Sequence, residues 1–127
     1  MSKIKISNFE MLNGLNTLGT LAGYKLPVKI SYGIKKNIEI ISREIKIYEE
    51  ERAVLIDKYG EKDKDGKVKI ENNNFLIKDV ENFNKDIREL QSIENEIETY
   101  DISLDLLLNS NIELTTAELT SIEFLLK

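Results

Sequence analysis

Apolar residues recur three and four positions apart between Pro27 and Tyr59, in the series Ile34, Ile38, Ile41, Ile45, Tyr48, Leu55 and Tyr59, with Arg52 in the one polar slot. This spacing predicts one long helix over residues 27–59 with a narrow apolar seam. Pro27 suits its first turn, where a preset φ helps and a missing N–H costs nothing. A second stripe, Ile40, Ile47 and Val54, repeats every seven residues on another side. A helix with two apolar sides needs cover on both, from other helices of the chain or from a second copy of it.

The remaining pattern predicts shorter elements. Residues 3–7, Lys-Ile-Lys-Ile-Ser, alternate as a short strand does. Ser7 or Asn8 caps a helix over roughly residues 9–22, whose apolar positions are Phe9, Leu12, Leu15, Leu18 and Leu21. Gly14 and Gly19 each weaken it by about 1 kcal/mol relative to Ala, or let another helix approach closely. After Gly60 the character changes. Residues 60–78 carry Asp65-Gly66, then Val68 and Ile70 alternating with lysines, then Asn72-Asn73-Asn74. They read as a β-hairpin arm or as a flexible loop.

Asp79 caps a return helix over residues 79–97, with Val80, Phe83, Ile87, Leu90 and Ile97 in three-four steps. Residues 96–104 continue this helix or form a strand that pairs with residues 3–7. Ser103 opens a short turn over 104–108. Thr115 and Glu118 make a capping box for a terminal helix over about 116–126, which presents Leu119, Ile122, Phe124 and Leu126. The fold class expected is mostly α. It is one domain over 1–127, built on a long antiparallel helical hairpin with flanking short helices and a small β-hairpin or strand. Its segments are 1–24, 27–59, 60–78, 79–97 and 98–127.

Composition narrows the chemistry. With 41% hydrophobic and 32% charged residues, the chain folds rather than remaining disordered. It has no Cys and no His, which excludes disulfides, thiolate chemistry and every mechanism that needs an imidazole. The opening residues hold no apolar run of signal-peptide or membrane-anchor length, so the cytoplasm is expected and a membrane partner is not. The net charge of −5 is uneven: ten Lys/Arg face seven Asp/Glu over residues 1–59, and eight face sixteen over 60–127. The acidic second half disfavours direct nucleic-acid binding and suits a protein partner with a basic surface.

Four features carry candidate functions. Glu94, Glu98, Asp101 and Asp105 lie at 4-3-4 spacing and form an acidic ridge if helical; if extended, Glu94, Glu96 and Glu98 line one face instead. Either row could imitate phosphates on a partner, and either could be a solvated face. Arg52 sets register or oligomeric state within the seam, or extends its stem and keeps its head in water. The Ile40, Ile47 and Val54 stripe offers self-association or partner contact. Asp63-Lys64-Asp65-Gly66 begins like a calcium loop, but Asn74 occupies the twelfth position where a bidentate Glu belongs, so a plain charged turn is expected. Lys25, Lys29, Lys35 and Lys36 read as helix-surface lysines. No catalytic residue, metal site or cofactor is expected.

Three passages together resemble a family of small bacteriophage and prophage proteins of unassigned biochemical function. They are Leu26 to Tyr32 with Lys36-Asn37, then Tyr59 to Asp63 running on to Asp65-Gly66, then Thr115 to Glu123. The resemblance covers most of residues 25–127, and its motifs are a helix start, a turn and a cap. Where the family often has Pro in the final cap, this chain has Thr116. The first 24 residues match poorly. The resemblance implies a phage origin and a bacterial host cytoplasm, and it carries over no catalytic residue. The expected function is non-catalytic: binding and inhibiting a host protein, such as a nuclease or other nucleic-acid-handling defence component. The alternative is a virion assembly or accessory component acting as a homo-oligomer.

Overall fold

The computed structural model describes all 127 residues and is mostly helical. Its elements are β1 (Ser2–Ser7), α1 (Asn8–Leu21), α2 (Val28–Tyr59), β2 (Ile70–Glu71), β3 (Asn74–Phe75), α3 (Val80–Ser92), β4 (Glu94–Thr99), α4 (Leu104–Leu108) and α5 (Thr116–Ile122), followed by a 3-10 turn, Glu123–Leu125. They form two compact units, one of residues 1–45 with 94–127 and the other of residues 46–93. Helix α2 contributes to both, and each unit is described by itself.

The larger unit holds nearly all of the buried core. β1 and β4 pair antiparallel from Ser2 opposite Thr99 to Ser7 opposite Glu94. Alternation sends Ile4, Ile6, Ile97 and Thr99 to one face, where Ile6, Ile97 and Thr99 are buried. Ser7 ends the strand and starts α1 through a capping box with Glu10. Helix α1 buries Met11, Gly14, Leu18 and Leu21, in 3-4-3 steps. The expected stripe of strict three-residue spacing winds around a 3.6-residue helix, so its first member, Phe9, stands exposed.

Helix α5 packs on α1. The approach is close because position 14 is Gly: a Cβ there would lie 2.9 Å from the Phe124 ring and 3.1 Å from the Ser121 carbonyl. Thr17 and Ser121 join the helices by a 2.6 Å hydroxyl hydrogen bond. Thr115 and Glu118 form the expected capping box. The terminal helix is shorter than the spacing predicts, ending at Ile122 before the 3-10 turn that buries Leu125. The chain end then pairs with the segment after β4: Ile102 donates to the Leu125 carbonyl, and Lys127 donates to that of Ile102, both at 2.9 Å.

The N-terminal part of α2 buries Ile30, Ile34, Asn37, Ile41 and Ile45. These steps of 4, 3, 4 and 4 follow the straight-helix period rather than a heptad of 3.5. Asn37 is wholly buried, and its side chain is bonded to the backbone at Tyr100.

The smaller unit buries little. Tyr48 and Ile56 are its only buried apolar side chains, and α3 has none. Tyr59 hydrogen-bonds Asp86 at 2.6 Å and meets the Phe83 ring edge-on, which ties the end of α2 to α3. The arm over residues 60–78 is an ordered hairpin. Its two-residue loop, Asn72-Asn73, has both φ values positive, at 52° and 65°, as a type I′ turn requires. The Asp63 carboxylate accepts from the backbone of Asp65 and Lys67, so Asp63 to Gly66 is a charged turn. Gly60 closes the base of the arm, where a Cβ would collide with Val68 and the Ile56 carbonyl at 2.5 Å.

One expectation is overturned. The return helix, expected over residues 79–97, stops at Ser92, because residues 94–99 take their hydrogen bonds from β1. The strand pairing with the N-terminus is present, but it begins before residue 96.

Candidate functional site

The acidic residues singled out above do not share one helical ridge. Glu94, Glu96 and Glu98 are exposed on the outer face of β4, the arrangement expected if the segment is extended. Lys5 stands opposite Glu96 and Lys3 opposite Glu98, so two of the three carboxylates face lysines across the ribbon, while Glu94 faces Ser7. Asp101 lies beyond the strand and is half-buried. It accepts from the Ser2 hydroxyl at 2.8 Å and faces the amino terminus at 3.5 Å. The Ser2 hydrogen bond, with the amino terminus and Lys127 nearby, holds its carboxyl below the ordinary Asp value despite some desolvation. Asp105 is exposed in the first turn of α4, a favourable position for a carboxylate.

The α2 stripe divides. Ile40 is half-buried, whereas Ile47 is 69% and Val54 57% exposed. Arg52 is also exposed, although it lies between buried Tyr48 and Ile56. Its guanidinium is therefore not a buried charge. Glu50 and Glu51, between the two exposed apolar residues, are open to solvent as well.

Other apolar groups of residues 46–93 are exposed in the same way. Ile70 and Phe75 face each other across the hairpin tip, and Val80 and Ile93 flank α3. Sequence periodicity marks Ile70 and Val80 only as strand and helix positions. The signal available was their number: a unit of 48 residues with two buried apolar side chains has apolar positions to spare. Asn37 was a further omission. It falls three after Ile34 and four before Ile41, which is a seam position occupied by an amide.

A cleft of about 400 Å³ lies within the larger unit, lined by Leu21, Tyr24, Ile34, Lys35, Ile38 and Glu39. Chemically it offers an apolar floor with one ammonium and one carboxylate at its edge. No three acidic side chains come together in a set that could hold a metal ion. No helix is long and apolar enough to cross a membrane. In the smaller unit, the Asp86 carboxylate holds the Tyr59 phenol above its ordinary value by accepting a hydrogen bond from its O–H. That pair ties α2 to α3, and the Lys58 ammonium lies 5.0 Å from the centre of the Tyr59 ring. No protein-family model, curated protein or solved structure matches this chain.

Proposed function

We propose that the protein is a non-catalytic, phage-encoded protein-binding module that binds and inhibits a host protein in the bacterial cytoplasm. Its contact surface is the apolar side of residues 46–93. The observation that carries this reading is the exposure of Ile47 and Val54 two turns apart on α2, in a unit whose only buried apolar side chains are Tyr48 and Ile56. In this reading α3 returns against α2 as the second limb of an antiparallel hairpin, which the Tyr59 contacts to Asp86 and Phe83 support. The target class is a nucleic-acid-handling defence protein such as a nuclease, whose basic surface complements the exposed Glu50 and Glu51 and the net charge of −5. The test is capture from a bacterial host lysate with the full chain and with an Ile47→Ser/Val54→Ser variant. A retained protein that is lost with the variant is the expected result. Capture of nothing, or of proteins indifferent to the substitutions, overturns the reading.

The second reading is a virion assembly or accessory component that self-associates through Ile40, Ile47 and Val54. The seven-residue repeat favours it. Sedimentation of the pure chain separates the two: a stable oligomer dissolved by Ile47→Ser supports assembly, and a monomer excludes it.

A further inference from the structure

We draw no further inference here: the strongest candidate, the cleft between the end of α1 and the N-terminal turns of α2, with Leu21, Ile34 and Ile38 as its apolar floor, is an open groove whose edge carries one exposed cation, Lys35, and one exposed anion, Glu39, and nothing in the structure shows what covers it.

Discussion

The Asn37 side chain binds the peptide of Tyr100 at both ends: the Tyr100 N–H donates to Oδ1 at 2.8 Å, and Nδ2 donates to the Tyr100 carbonyl at 2.8 Å. An amide in this position does what a neighbouring strand would do, just where β4 runs out of partners. Because Asn37 is 0% exposed, truncation leaves donor and acceptor short of partners within the core. Asn37→Ala is expected to cost about 2–4 kcal/mol. Asn37→Asp, which keeps the acceptor but places a carboxylate near a carbonyl, is expected to cost at least as much. Urea unfolding of the three proteins measures both.

Gly14 and Gly19 lie on the same helix but should respond to Ala in opposite directions. At Gly14 the new methyl meets the Phe124 ring and the Ser121 carbonyl, whereas at Gly19 nothing lies within 4 Å. Gly14→Ala is expected to lose about 1–2 kcal/mol net of its helix-propensity gain. Gly19→Ala is expected to gain up to about 1 kcal/mol. Thermal melts of the pair give the sign directly.

The ribbon offers a charge-swap experiment. Lys3→Glu with Lys5→Glu places like charges opposite Glu98 and Glu96, and each is expected to destabilise by about 0.2–1 kcal/mol. Adding Glu96→Lys and Glu98→Lys should restore most of the loss. If the glutamates instead served a partner surface, the four-fold variant would be stable but unable to bind. Stability and lysate capture, measured side by side, separate the two roles.

Asp101 makes stability depend on acid. Its carboxyl titrates below the ordinary Asp value when folded, first because Ser2 donates to it. A depressed carboxylate contributes stability that is present above the unfolded value and is lost as pH falls through the folded one. Ser2→Ala should raise the Asp101 midpoint in an NMR titration, and the variant should lose less stability than the wild type on acidification. Tyr59 has the opposite sign. Raised by Asp86, it contributes stability below the ordinary Tyr value that is lost as pH rises through its folded value. Tyr59→Phe should therefore flatten the alkaline limb.

Local rules made much of this fold legible. The 3-4 spacing marked α2, the pair Ser7-Asn8 and Thr115 marked helix starts, and the alternation of residues 3–7 marked β1. What stayed hidden depended on distant partners. Ile93 and Ile97 extend the helical period of α3, and only β1, about ninety residues earlier, turns residues 94–99 into a strand. The same event dispersed the acidic ridge, since a period of two replaces one of 3.6. The α2 stripe was readable as a pattern, but the exposure of Ile47 and Val54 depends on how little residues 60–93 cover.

The pairing of β1 with β4 also has a consequence for synthesis. β1 leaves the ribosome well before its partner β4, which is made only after α1, α2, the hairpin arm and α3, and α1 likewise waits for α5. Until Thr99 has emerged, Ile4 and Ile6 have no sheet partner, and until α5 follows, α1 lacks its cover. Long-range closure of this kind slows folding and prolongs exposure of apolar surface. Residues 46–93, by contrast, contact one another locally and can be in place first. The part of the molecule we assign to partner contact would then be the earliest to take shape, with its exposed apolar side presented while the rest of the chain is still being made.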